Sequence, residues 1–216
     1  MNLPLTNLSN SGDLGVLLMI RFILLLATVL TTPVTAIAEP ATAIFAGGCF
    51  WCMEKPFDQL EGVIATTSGY TGGEQKNPTY KAVSSGKTRH IESIQITYNP
   101  EKISYLQLLR TFWVNIDPLD GGGQFCDRGP HYRAGIFVSS EEERELAEQT
   151  IKQLEASLFE GKKIATFLTN ANEFYPAENY HQDYYQKNPL RYRYYRYGCG
   201  RDARLDSLWK DKELPF

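Results

Sequence analysis

Charge of one sign is missing from this sequence as an organising feature: 22 Lys and Arg stand against 25 Asp and Glu. So even a balance leaves no broad electrostatic footprint for nucleic acid or anionic membrane, and either partner would need a local patch. The densest basic stretch, Arg191-Tyr192-Arg193-Tyr194-Tyr195-Arg196-Tyr197, reads as an extended surface segment or edge strand whose guanidinium groups stack on phenol rings. No repeat period and no low-complexity tract occurs, which excludes solenoids and collagen-like arrays. Histidine is scarce, with three in the chain, and no Gly-rich phosphate loop is present, so no bound cofactor or metal is expected. Of the four cysteines only Cys49 and Cys52 are close in sequence. Cys126 and Cys199 stand alone, and the second close pair that makes four-cysteine zinc sites recognisable is lacking.

What is present is enough for one globular domain: 216 residues, 43% of them hydrophobic and 22% charged, can bury a real core. Val16 to Val34 is almost wholly apolar and is interrupted by Arg21, Pro33 and a few threonines. Starting at Met19, the chain has the layout of a secretory leader: Arg21 supplies a basic start, Phe22 to Leu30 an apolar stretch, and Ala36-Ile37-Ala38 a small-x-small cleavage site. The expectation is a leader over 1–38, with Met19 as a possible true start, and a mature, exported domain over 39–216. Cleavage would leave no membrane insertion, and export means an oxidising compartment where disulfides persist.

Beyond the leader, strand and helix periods alternate. Ala41 to Ala46, Val63 to Tyr70, Ile91 to Tyr98, Ala134 to Val138 and Ile164 to Thr169 read as strands. Helices are expected from Cys49 towards Leu60, over Ile103 to Val114, from Glu141 to near Gly161 behind a Ser139 or Ser140 cap, and over Glu178 to Lys187. Pro56 should kink the first of these or make its first turn irregular. The alternation predicts an α+β fold, a two-layer sandwich with a mixed sheet and a ferredoxin-like core. From Leu190 onward a long irregular C-terminal segment is expected to wrap the domain.

Gly47-Gly48-Cys49-Phe50-Trp51-Cys52 places a cysteine behind a strand, after two glycines, at the start of a helix. Unpaired amides at a helix start favour thiolate, the reactive form of cysteine. A Cys-x-x-Cys spacing alone fits half of a zinc site, a thioredoxin-like redox pair, or two cysteines with unrelated roles. In Ile91-Glu92-Ser93-Ile94-Gln95-Ile96-Thr97-Tyr98, period-two alternation puts Glu92 on the face of Ile94, Ile96 and Tyr98, so a carboxyl is aimed inward. A desolvated carboxyl holds its proton and suits a general acid near neutral pH.

These motifs, with Ser68-Gly69-Tyr70-Thr71-Gly72-Gly73, Asn77-Pro78-Thr79-Tyr80, Phe112-Trp113, Asp117-Pro118, Asp127-Arg128-Gly129-Pro130-His131-Tyr132-Arg133 and Glu178-Asn179-Tyr180-His181-Gln182-Asp183-Tyr184, occur in an order that resembles A-type peptide methionine sulfoxide reductases from about Ala43 to Pro189. The resemblance implies Cys49 as nucleophile on the sulfoxide sulfur and Phe50 and Trp51 as the apolar wall for the substrate methyl group. It implies Glu92 as the acid for the sulfoxide oxygen, Tyr80 and Tyr132 as phenols that bond that oxygen, and Asp127 as a polar organiser. Attack would leave a sulfenic acid that a second thiol converts to a disulfide. Cys199, between Gly198 and Gly200, is the first choice for that thiol, followed by Cys52, which stands where many relatives carry glycine; Cys126 is expected to be a bystander. The implied enzyme reduces methionine S-sulfoxide, free or in peptides and oxidised proteins, with electrons from a thioredoxin-like protein; a monomer is expected, and the leader makes the periplasm its expected location. A thiol-disulfide oxidoreductase using Cys49 and Cys52 and a zinc-stabilised binding module are the rivals.

Overall fold

The computed structural model describes residue 1 and residues 39–216, and the expected leader and its cleavage site lie outside the described residues. Strand β1 (Ala41–Ala46) is apolar on both faces. Ala43 and Phe45 enter the main core, while Ile44 and Ala46 join Phe137, Phe167 and Phe174 on the other side of the sheet. That double burial belongs to an interior strand, and β1 lies third in a six-stranded sheet.

The chain continues through α1 (Phe50–Asp58), β2 (Val63–Thr71), α2 (Tyr80–Ser84), β3 (Ile91–Tyr98), α3 (Tyr105–Val114), the short hairpin β4 (Gly123–Gln124) and β5 (Asp127–Arg128), and a 3-10 turn over Pro130–Tyr132. It then forms β6 (Gly135–Val138), α4 (Glu141–Ala156), β7 (Phe167–Asn170), β8 (Tyr175–Pro176), α5 (Tyr184–Lys187), α6 (Pro189–Gly198) and α7 (Arg201–Trp209). The sheet order is β7-β6-β1-β3-β2-β8. Within it β6, β1, β3 and β2 are antiparallel neighbours, so β1-α1-β2 and β3-α3-β6 are two interleaved crossovers, the split βαβ plan of a ferredoxin-like core. Strand β7 pairs parallel to β6 and β8 antiparallel to β2, which makes the sheet mixed as expected.

Local chemistry places the helices. Ser104 and Gln107 form a reciprocal capping box on α3. Ser140 caps α4, whose first turn carries Glu141, Glu142 and Glu143 where the helix dipole favours acids. Phe45 stacks on Phe112 at 5.0 Å between centroids, among buried Phe57, Leu108, Leu109 and Trp113. Each large apolar side chain so buried contributes about 1.5–3 kcal/mol.

Four sequence expectations change. The C-terminal segment is not an irregular loop: α6 and α7 occupy it, and the Arg/Tyr run is helical. Alternating Arg and Tyr mimics a strand period, yet Pro189 opens a helix that buries Tyr192 and half-buries Tyr195 and Cys199 on one side, leaving Tyr194 and Tyr197 exposed. Helical structure between Glu178 and Lys187 is confined to α5, because Glu178 and Gln182 are drawn into bonds with Tyr70, the Tyr80 amide and the Ser68 backbone. The last long strand starts at Phe167, not Ile164, and α4 ends at Ala156, short of Gly161. Pro56 is accommodated inside α1, where it withholds the amide that the Cys52 carbonyl would otherwise accept.

Candidate active site

Cys49 is the N-cap of α1 and follows β1 across Gly47 and Gly48. Gly48 has φ +81, and a Cβ there would lie 2.7 Å from Cβ of Gln124, so both its conformation and its contact demand glycine. The first amides of α1 face two carboxyls. The Phe50 amide donates to Glu92 Oε2 at 3.3 Å, and the Cys49 amide favours the charged form of Asp127. One of the unpaired amides at the positive end of the helix is thereby taken by Glu92.

That arrangement reverses one expectation. Burial pushes the Cys49 thiol well above its ordinary value, its hydrogen bond with Cys52 adds to this, and the neighbouring carboxyls act in the same direction. The acidified thiol is Cys52, brought down to about 7 by its hydrogen bond with Cys49 and by the positive charges of Arg201 and Arg196, against the cost of burial. Both sulfurs are free and both residues are buried, Cys49 at 6% exposure and Cys52 at 1%.

Cys126 is not a bystander. It forms a disulfide with Cys199, joining the Asp127 hairpin to the end of α6. Cys199 Sγ also lies 3.9 Å from Asp127 Oδ2. With Cys199 bonded to Cys126, the free thiol beside Cys49 in this structure is Cys52, one turn along α1. Among the described residues, Cys126, Asp127 and Cys199 are also the one His, Cys, Asp or Glu group spaced to hold a metal, and its two sulfurs are consumed by their own bond.

Glu92 lies opposite Tyr70 on β2 and is 1% exposed, as the alternation required. Burial raises its carboxyl to about 8, against the lowering effect of the Phe50 amide. Tyr80 and Tyr132 both face Glu92 and Cys49, so two phenols and a carboxyl converge beside the thiol. Tyr80 opens α2 and is anchored by its amide to Glu178 Oε1 at 2.9 Å. Tyr132 ends the 3-10 turn behind Gly129, whose φ is +118. Asp127 accepts the Tyr195 hydroxyl on both oxygens, at 2.7 and 2.6 Å.

Phe50 is buried, whereas Trp51 is partly open and is fixed on three sides. Its indole stacks on Tyr184 at 3.7 Å and 5°, meets Tyr195 edge-on at 5.8 Å, and donates Nε1–H to His181 Nδ1 at 2.9 Å. That bond leaves the proton of neutral His181 on Nε2, and burial lowers the tendency of the ring to gain a second one. All the expected site residues thus lie around Cys49, apart from the bonded Cys199 one carboxylate away. Sequence reading missed Tyr184, Tyr195 and Arg201. The available signal was helical spacing of Tyr192, Tyr195 and Cys199, obscured by the apparent alternation.

A sequence model described as peptide methionine sulfoxide reductase matches residues 41–213. The chain belongs to that family. This reductase is 51% identical over 170 residues to the peptide methionine sulfoxide reductase MsrA of Bacillus licheniformis, a match covering 79% of this chain and 94% of the relative. It is 46% identical over 194 residues to MsrA 2 of Caulobacter vibrioides, covering 88% and 98%. Its fold is similar to methionine sulfoxide reductase A of Corynebacterium diphtheriae, with TM-score 0.62, 32% identity and coverage of 70% and 76%. Reduced Mxr1 of Saccharomyces cerevisiae is similar at TM-score 0.64, 32% identity and coverage of 70% and 87%. This reductase is therefore an oxidoreductase that converts methionine sulfoxide to methionine by thiol chemistry.

Proposed function

We propose that Cys49 attacks the sulfur of methionine S-sulfoxide while Glu92 protonates its oxygen. The observation that carries this reading is a buried carboxyl held at about 8, bonded to the amide of the residue that follows Cys49. A neutral carboxyl donates where a carboxylate cannot, and the S–O bond breaks once its oxygen is protonated. Tyr80 and Tyr132 bond that oxygen, Phe50 and Trp51 receive the methyl group, and Asp127 orients the Cys49 amide. The sulfide leaves as methionine, and the oxygen stays on Cys49 as a sulfenic acid.

Cys52 then condenses with that sulfenic acid, forming a Cys49–Cys52 disulfide and water. Exchange with reduced Cys126 and Cys199 carries the oxidation to the surface, because Cys126 is exposed and Cys199 half-exposed. A thioredoxin-like dithiol protein regenerates the enzyme there; no bound cofactor takes part. Substrates are free methionine sulfoxide, peptides and oxidised proteins, and the enzyme acts as a monomer. The apolar leader supports a periplasmic site of action. N-terminal sequencing of the exported protein should begin at Glu39, and a retained leader would instead mean an anchor.

The decisive experiment is turnover of both epimers of a methionine sulfoxide peptide with dithiothreitol, in the parent, Cys49→Ser and Glu92→Gln proteins. Reduction of the S epimer alone, abolished by the first change and strongly reduced by the second, is expected. The contact between Cys49 and Cys52 favours one second reading, exchange with protein disulfides. Insulin reduction unaffected by Glu92→Gln, without sulfoxide turnover, would establish it instead.

A further inference from the structure

Arg201 is 1% exposed and makes no ion pair with a carboxylate among the described residues. Its Nη2 reaches the Gly47 carbonyl at 3.1 Å, the Asn115 carbonyl at 2.7 Å and the Met53 sulfur at 3.0 Å. The guanidinium lies over the Phe125 ring at 4.3 Å, and its buried Nε has no partner. It is therefore wedged between the turn that leads into Cys49 and the residue that follows Cys52. A guanidinium buried without a counter-charge costs several kcal/mol, so an anion is expected beside it. Of the negative groups that face it the Cys52 sulfur acts most strongly, ahead of the Cys49 sulfur; Asp127 faces it too without an ion pair, and Arg196 repels it.

We propose that Arg201 is a positioning residue that holds the Cys52 sulfur as the thiolate counter-charge of its buried guanidinium, and so makes Cys52 the group that resolves oxidised Cys49. This rests on sulfoxide reduction at Cys49. In the resolving step the Cys52 thiolate attacks the sulfenic sulfur, an S–S bond forms and the S–O bond breaks. The departing hydroxide takes one proton from solvent and leaves as water. Cys52 is oxidised, the sulfenic sulfur is reduced, and no outside oxidant or reductant is consumed.

The groups that face Cys52 favour its anion on balance. Arg201 from α7 and Arg196 from α6 favour its anion, and so does its hydrogen bond with Cys49; Asp127 opposes it. Tyr192 from α6 and Glu92 from β3 also face it. Glu92 stays neutral below about 8 and Tyr192, raised by burial, also stays neutral, so neither adds a competing charge there.

The test is a single turnover of fully reduced full-length protein with methionine sulfoxide, following released methionine, dimedone-trapped Cys49 sulfenic acid, and disulfides by peptide mass mapping. In the parent, closure of Cys49–Cys52 should rise with a midpoint near pH 7. Arg201→Met should still release methionine, accumulate trapped sulfenic acid, and close roughly tenfold or more slowly at neutral pH, with the midpoint at least about one unit higher. Arg201→Lys, which restores a cation without the fork, should recover part of the rate. Closure in a folded Arg201→Met protein at the parent rate and midpoint would overturn the proposal. If that variant does not fold, the parent alone decides, since a midpoint above about 8.5, the ordinary thiol value, or a Cys49–Cys199 linkage in place of Cys49–Cys52, would overturn it. No methionine burst in the parent would instead remove the sulfoxide mechanism itself.

Discussion

The Tyr195 hydroxyl lies 2.7 and 2.6 Å from the two carboxyl oxygens of Asp127, so α6 reaches over the site and grips the carboxyl that faces the Cys49 amide. Burial raises the Asp127 carboxyl while the Tyr195 bond opposes the rise. Tyr195→Phe removes the donor and keeps the edge contact with Trp51. A hydrogen bond to a charged group contributes about 1.5–3 kcal/mol, so kcat/KM should fall roughly tenfold or more while far-UV circular dichroism is unchanged. Unaltered kinetics would show that the Asp127 position does not depend on α6.

Glu92→Gln should lower kcat by about 10²–10⁴-fold, the usual worth of a general acid. Glu92 works only when protonated, so parent activity should decline as pH rises through about 8. The variant should lack that limb in a pH profile of kcat. A limb that persists in the variant would assign it to another group.

The fold over 39–216 was legible wherever one period dominated. β1 has the expected bounds because it is a short apolar run that Gly47 and Gly48 end, and in β3 the alternation of apolar positions aimed Glu92 inward. α6 was illegible because Arg and Tyr alternate in sequence while the helix sorts them by a longer period. The partner of Cys126 could not be read at all, since a bridge between residues 73 apart depends on tertiary placement. In the sequence nothing sets Arg201 apart from other charges near the C-terminus, and its burial without an ion-paired carboxylate among the described residues is a property of the folded protein alone. The acidity of Cys49 was not legible because it is set first by the burial of its thiol and then by Cys52 and the carboxyls of Glu92 and Asp127, all of which depend on tertiary placement.

Replacing each cysteine should separate the steps. Cys199→Ser should retain most of its turnover with dithiothreitol, a small reductant, and lose most of it with a protein dithiol. Cys52→Ser should still release methionine in a first turnover and then stall as the sulfenic acid. Mass mapping of oxidised parent should find Cys49–Cys52 and Cys126–Cys199. A preparation in which Cys49–Cys199 is the sole linkage would make Cys199, not Cys52, the resolving thiol.

Glu54 is wholly buried in α1, where desolvation raises its carboxyl from 4.5 to about 7 despite a bond from the Asp183 amide. Between those two values the unfolded chain loses the proton and the folded one keeps it, so stability falls as pH rises across that window and the penalty is complete above it. Glu54→Gln cannot ionise. It should melt several degrees above the parent at pH 8, with the difference vanishing near pH 4. Parallel melting curves at both values would exclude a buried neutral carboxyl.

The bridge that joins Cys126 to Cys199 also acts on the unfolded chain. Its ends are 73 residues apart, and closing a loop of that size removes conformations worth about 4 kcal/mol from the denatured ensemble. Reduction returns that entropy. The C-terminal helices are then held by contacts such as the Arg201 bonds to Gly47 and Asn115 and the Trp209 bond to Ile116. The fully reduced protein, the form that begins each catalytic cycle, should therefore melt below its bridged counterpart, and heat sensitivity will track the redox poise of its surroundings.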